Sequence, residues 1–465
     1  MCGNCSAARK LQFSVLQRKI GIECKRGRLW QKTAAAGART GGKFVDTPFS
    51  LKGVLLGCST SATQIEGSPT RNSWYDWADM PGRMKDHSSP KNANQHWQRW
   101  REDNQLIQKL GLQVYRMGLE WSRIEPAPGY FCHKAMQHYR DEILDLRKKG
   151  VKVLVTLHHF SNPSWFEKEG GFVRKDSPQI FLRYVTYVVE SIGDLVSDYV
   201  TLNEPNVYVT LSYFLALWPP AKHNPATSIR VMRNLVYCHL AAYRRIHRIR
   251  EERHFPGRTM VSFTEHLRVF TPAHPQDHPL ANGMEYLFQG LTMAMYTGRL
   301  LSPLGGGAPF GDSRFYDYIG INYYTRLWID GKHIGVCPGK PVNDLGWEIY
   351  PEGLGFLMRK RYRRLCAPIW ITENGIADRE DKQRCRFLYD HLRQVADSGL
   401  PVERYYYWSL MDNFEWAEGE TAAFGLIDCD FKTQKRTVRR SAYFYRDIIR
   451  NGGVTQQMID TYLKE

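Results

Sequence analysis

Tyr199-Val-Thr-Leu-Asn-Glu-Pro205 and Pro368-Ile-Trp-Ile-Thr-Glu-Asn-Gly375 are short apolar runs, and each ends on a glutamate followed by turn-forming residues. Both read as buried strands that stop at a carboxyl group. Six more runs share that length and character, at 53–58, 112–116, 151–158, 259–264, 318–322 and 405–410. Longer amphipathic stretches separate most of them. The stretch 94–110 places Trp97, Trp100, Leu106, Ile107 and Leu110 on one helical face, and Gly111 ends it. The stretches 133–150, 179–197 and 381–398 read similarly. Strand–helix alternation repeated eight times predicts a single-domain α/β fold, a (β/α)8 barrel, over residues 46–455. Residues 1–45 then form an extension, expected to be disordered, and 456–465 a C-terminal tail. Long irregular connections are expected near 271–282 and 301–313. Gly305-Gly-Gly307 has no following lysine or serine and reads as a loop, not a phosphate cradle.

In barrels of this kind the active site lies where strands end at their C-terminal edge. Polar groups crowd seven of the eight strand ends in this sequence. Gln64 and Glu66 follow the first run, Arg116 ends the second, and His158 and His159 end the third. Asn203 and Glu204 end the fourth, Asn322 and Tyr324 the sixth, Glu373 the seventh, and residues 412–416 follow the eighth. Two carboxyl groups are the minimal equipment for cutting a glycosidic bond. Glu204 and Glu373 are far apart in the chain, so a closed fold must bring them together.

Composition narrows the class. The 465 residues are 43% hydrophobic and 24% charged, as in a soluble globular enzyme, with 13 Trp and 26 Tyr. Most of those rings are expected to fill core. The formal net charge of +17 raises the question of nucleic acid. Its distribution argues against that partner: residues 1–45 hold ten Lys/Arg and one acid, so the other 420 residues carry only +8. The basic clusters at 244–250 and 359–364 are expected to be solvated helix faces. The first 45 residues lack the apolar core of a signal peptide; their basic, almost acid-free bias is that of an organelle transit peptide or of an upstream region read as coding. No apolar run approaches the roughly 20 residues that span a bilayer. The ten cysteines have no repeated metal-binding spacing. Cys58, Cys238, Cys366 and Cys429 read as small buried hydrophobes, and reduced thiols in a cytoplasmic setting fit best.

The ordered motifs resemble glycoside hydrolase family 1, the retaining β-glycosidases, over about residues 48–450. The matching segments are Gln64-Ile-Glu-Gly67, Tyr115-Arg-Met117, Trp121-Ser-Arg-Ile-Glu-Pro126, Thr156-Leu-His-His-Phe160 and Thr201-Leu-Asn-Glu-Pro-Asn206. They continue with Ile319-Gly-Ile-Asn-Tyr-Tyr324, Gly346-Trp-Glu-Ile-Tyr-Pro351, Ile371-Thr-Glu-Asn-Gly375 and Trp408-Ser-Leu-Met-Asp-Asn-Phe-Glu-Trp416. The resemblance implies that Glu204 is the general acid/base and Glu373 the nucleophile. It places Arg116, Asn322 and Tyr324 in support of the two carboxyl groups and Asn203 on the sugar 2-OH. It implies hydroxyl binding by Gln64, His159 and Glu415, ring stacking by Trp408, an indole N–H from Trp416, and Trp347 on the aglycone side. The like charge of the nucleophile is expected to keep the acid protonated near neutral pH. No metal or cofactor is implied, and the expected partner is a small-molecule or oligosaccharide β-glycoside, with no nucleic acid and no membrane. Glu66, beside a glycine, reads as structural.

Within the resemblance, Glu415 bears on substrate. The phospho-glycosidase branch has a small hydroxyl residue there, and a carboxylate would repel a 6-phosphate. A plain β-glucoside or related hexoside is therefore expected. Phe160, Leu56, the segment Ala216-Leu-Trp-Pro-Pro220 and the 301–313 loop depart from common family forms. Two other classes compete on the sequence alone: a sugar-binding protein without turnover, and an anion-binding protein using the basic surface.

Overall fold

The structure is a computed structural model that describes residues 46–67 and 70–464. The extension assigned to 1–45 lies outside the described residues.

All eight expected runs form strands. They are β1 Leu55–Ser59, β2 Val114–Gly118, β3 Lys152–Thr156, β4 Asp198–Asn203, β5 Met260–Pro272, β6 Ile319–Asp330, β7 Ile369–Asn374 and β8 Val402–Trp408. Each pairs in parallel with its neighbours. β1 pairs with β8 and β5 with β6, so the sheet closes into a (β/α)8 barrel. The outer helices include α1 His96–Lys109, α2 His133–Lys148, α3 Ser177–Ile192, α4 Pro225–Glu252, α5 Glu352–Leu365, α6 Arg384–Ala396 and α7 Arg440–Asn451. The start of α4 shows the local logic. Pro225 occupies its first turn, and the Asn224 side chain accepts the Thr227 N–H at 2.9 Å. Residues 456–465, set apart as a tail on sequence, carry α8 Gln456–Tyr462, in which Met458 and Ile459 are buried.

Seven strands contribute a side chain to the barrel floor, and the residue just before β6 completes it. Val114, Leu154, Val200, Met260, Trp370 and Tyr406 pack there with Tyr318, next to β6, and the partly buried Leu55. Tyr318 stacks on Trp370 with ring centroids 3.7 Å apart, and the Arg404 guanidinium lies over the same indole at 3.6 Å. Arg404 is paired in turn with Asp198 at 2.7 Å.

Three expectations need correction. Residues 271–282 are not irregular, because β5 continues to Pro272 and a helix occupies His278–Glu285. The long β5 and β6 stay hydrogen-bonded to one another beyond the barrel rim, as far as Pro272 and Ile329. The basic clusters are not wholly solvated. Arg250 is 2% exposed and donates to the carbonyls of Gly193, Val196 and Pro256. Arg361 is 5% exposed and grips Glu265 through two hydrogen bonds of 2.7 and 2.9 Å. Cys58, Cys238 and Cys429 are buried, but Cys366 is half-buried and caps α5 in a left-handed conformation (φ 48°).

The Glu265–Arg361 pair is completed by Thr292 and Tyr296, whose hydroxyls donate to Glu265 at 2.7 and 2.9 Å. Removing the cation leaves a buried carboxylate with neutral donors only. Arg361→Leu is expected to destabilise the barrel by about 3–5 kcal/mol, read from chemical denaturation. An unchanged transition would overturn the stabilising role of the pair.

Candidate active site

Local irregularities turn the key side chains toward the barrel axis. Side chains on a strand alternate faces, so residues two apart share one. Val200 lies in the floor, three residues before Asn203, and the β4–β5 pairing shifts register between them. On β7 the pairing with β8 changes from Ile371 opposite Tyr405 to Asn374 opposite Tyr407, three residues against two. Glu373 sits in that extra length. Such bulges re-aim side chains beside active sites. Gly375 follows directly, and a Cβ there would lie 1.8 Å from the Trp408 carbonyl oxygen, so only glycine lets the two strand ends approach.

Arg116 lies at the centre of the resulting network and is fully buried. Its Nη1 donates to Glu373 Oε1, its Nη2 to Asn203 Oδ1 at 2.7 Å and its Nε to Thr156 at 2.9 Å. Tyr324 donates to the other Glu373 oxygen, Oε2, at 2.7 Å. Asn203 Oδ1 also accepts from Thr264 at 2.8 Å and from Asn322 at 3.1 Å. With three donors on its oxygen, the Asn203 amide orientation is fixed. Its Nδ2 then donates to His159 Nε2 at 3.0 Å, so the His159 proton is on Nδ1. That Nδ1 has no protein partner among the described residues. Burial holds the imidazole neutral by pushing its pKa well down, and Arg116 adds to the effect.

Glu204 caps the short helix Pro205–Val209 in a left-handed conformation, φ 43°. Its Oε1 accepts from Asn322 Nδ2 at 2.8 Å and from His266 Nδ1 at 3.2 Å. Phe160 (φ 63°) and Trp416 (φ 49°) share this uncommon backbone. Left-handed non-glycine residues cluster where surrounding structure holds them for a purpose.

The carboxyl groups titrate unusually. Burial pushes Glu373 up to about 7, against the downward pull of Arg116 and with a further push from Glu204. Arg116 and Tyr324 do favour the ionised form, as expected, but burial outweighs them. Burial also pushes Glu415 up to about 8, aided by the Glu373 charge and opposed by the Trp408 and Gln64 donors. Gln64 Nε2 reaches Glu415 at 3.0 Å and Asn413 at 2.8 Å, while its own oxygen accepts from Ser61 at 2.6 Å.

Aromatic walls complete the pocket. His159 stacks against both Trp408 and Trp416, with centroids 5.7 Å away in each case. Trp416 is backed by Trp74, Phe160 and Trp218. Trp347 meets Tyr324 edge-on at 5.8 Å. All twelve residues singled out on sequence thus lie in or beside one rim. Glu66 is elsewhere engaged, with Arg123 at 3.0 Å and Tyr139 at 2.7 Å. Not evident from sequence were the supporting threonines Thr156, Thr264 and Thr372, the Trp218 wall, and His266 with Arg268 within the fifth strand. Polar residues at 264–268 were the available signal.

The family model for glycosyl hydrolase family 1 matches residues 48–293 and 313–454. The stretch it skips contains the glycine loop noted above as a departure. A β-glycosidase from Pyrococcus horikoshii is 33% identical and superposes with a TM-score of 0.81, over 90% of this chain and 98% of its own. A Thermotoga maritima β-glucosidase in complex with glucoimidazole is 28% identical, also at 0.81, covering 87% and 100%. Among curated relatives, β-glucosidase A of Thermotoga maritima is 29% identical over 450 residues, 87% of this chain and 98% of its own. A β-galactosidase of Sulfolobus acidocaldarius is 28% identical over 480 residues, covering 88% and 96%. A closed barrel with its carboxyl groups gathered on one rim, matched across nearly the whole described body, belongs to glycosyl hydrolase family 1.

Proposed function

We propose that Glu373 is the nucleophile and Glu204 the acid/base of a retaining β-glycosidase acting on terminal, unphosphorylated β-D-glucosides, with β-galactosides as further substrates. The observation that carries the division of roles is the donor set. Both Glu373 oxygens take donors, one of them a guanidinium, whereas the donors to Glu204 are an amide and an imidazole. That set favours the charged, attacking form of Glu373 and leaves Glu204 as the group placed to carry the transferable proton.

In the first step Glu373 attacks the anomeric carbon while Glu204 gives its proton to the leaving oxygen. In the second, Glu204 takes a proton from water, which displaces Glu373 and releases the sugar with retained configuration. Arg116 stays paired with Glu373 and Asn203 across both steps. The second amide proton of Asn203 is directed to the sugar 2-OH, where hydrogen bonds strengthen in the transition state. Gln64, His159 and Glu415 bind the remaining hydroxyls. Trp408 stacks on the ring, Trp416 offers its N–H, and Trp347 lines the leaving-group side. The activity is assigned to residues 46–455. The buried thiols fit a reducing, cytoplasmic compartment.

Glu415 favours unphosphorylated sugars, but not simply by charge. At about 8 its carboxyl is largely neutral at pH 7, and its partners Gln64 and Trp408 supply no cation to a phosphate. Repulsion grows only as Glu415 ionises.

A 2-fluoro-β-glucoside inactivator is expected to label Glu373, seen by peptide mass mapping, and Glu373→Ala should abolish turnover. Normal turnover by that variant would end the assignment. Tyr324→Phe removes a donor from the ionised nucleophile. The acid limb of kcat/KM should therefore move to higher pH, with kcat about 10- to 100-fold lower. The preference for a plain aryl β-glucoside over its 6-phosphate should rise with pH through about 8. It should shrink in Glu415→Ser; equal turnover of both substrates by the unmodified enzyme would defeat the substrate reading.

A further inference from the structure

Three residues of β5 project toward the catalytic rim at spacing two: Thr264, His266 and Arg268. Thr264 belongs to the Asn203 network. The other two form a chain that ends on Glu204. Arg268 Nε lies 3.1 Å from His266 Nε2, and His266 Nδ1 lies 3.2 Å from Glu204 Oε1. A guanidinium can only donate, so His266 Nε2 must accept. The imidazole proton is therefore on Nδ1 and points at the carboxyl group. Protonating Nε2 would set two N–H groups against each other beside a cation. Burial likewise disfavours the charged ring and lowers its pKa. His266 is thus a neutral, one-way donor, and the cation behind it polarises it toward Glu204.

The chain is rigidly held. Gln289, 1% exposed, accepts the Arg268 backbone N–H at 2.8 Å and returns a bond to its carbonyl at 3.1 Å. The His266 ring stacks on Tyr324 (5.6 Å) and meets Phe288 edge-on (5.9 Å). Arg268 lies over Phe288 at 5.8 Å. The carboxyl group whose charge Arg268 feels is that of Glu204.

Resting on the acid/base reading of Glu204, we propose that His266 and Arg268 are a positioning pair for it. They hold Oε1 as a permanent acceptor, leave Oε2 to carry the transferable proton, and stabilise the negative charge that appears each time the proton leaves. No proton passes to His266 or Arg268. The other groups facing Glu204 are Asn322 and Tyr324 from β6, Glu373 from β7, Glu415 after β8, and Arg116 from β2 acting through Asn203. The two carboxyl groups place like charge near Glu204, and the β5 pair sets a donor backed by a cation against it.

The test compares His266→Phe, Arg268→Met and Arg268→Lys by the pH dependence of kcat/KM on aryl β-glucosides of graded leaving-group ability. Losing the donor or its charge should move the alkaline limb up by about 1 pH unit, because Glu204 then holds its proton more tightly. The acid limb, set by Glu373, should move less. Turnover near neutral pH should fall most for poor leaving groups, and Arg268→Lys should return the limb toward its original position. Unmoved limbs in folded Arg268→Met would overturn the proposal, as would a uniform loss of kcat at every pH, which is the mark of a merely structural role. A Glu204→Gln control separates the two claims. If that variant still cleaves poor leaving groups normally, the acid/base reading itself has failed.

Discussion

A guanidinium buried inside a barrel has to satisfy five N–H groups without water, and the position of Arg116 follows from that requirement. Its partners come from β3, β4 and β7, so its side chain ties together strands that are distant in sequence. Glu373, the proposed nucleophile, is one of those partners. Arg116 and Glu373 therefore supply each other's compensation for burial, and neither is replaceable alone. The same atoms that stabilise the centre of the barrel set the reacting geometry. Glu373 is consequently built into a strand, and Glu204 directly follows one at a helix N-cap, so neither depends on a long loop for its precision.

The site draws on strain as well as bonding. Glu204, Phe160 and Trp416 hold left-handed backbones without being glycine, and the strand register slips next to Asn203 and Glu373. Each deviation costs on the order of 1–3 kcal/mol where it occurs. Hydrogen bonds from Asn322 and His266 hold Glu204, and packed aromatic rings hold Phe160 and Trp416.

Much of this was readable in the chain. Eight apolar runs with polar residues at their ends carried the barrel and nearly all of its rim, because strand period and turn chemistry are local properties. The failures were non-local. Arg250 and Arg361 sit in basic clusters that look solvated, and only the packing of neighbouring elements reveals the carbonyls and the carboxylate that hold them. The run 271–282 looked irregular because β5 and β6 support each other beyond the rim, across some fifty residues of chain. The fifth strand end was overlooked for the same reason. Glu265 faces outward to Arg361, while His266 faces inward to Glu204, and the sequence alone does not say which is which.

The floor of the barrel decides how molecules move through it. Tyr318, Trp370 and the Arg404–Asp198 pair close the far end. The site therefore faces the opposite rim, where Trp347 packs on Tyr324 and the β5–β6 ribbon rises beyond the barrel. The departing aglycone has to clear the rim by which water arrives. Any alcohol waiting there competes with water for the glycosyl-enzyme. On the proposed mechanism, a choice between water and another acceptor falls to the groups of that rim.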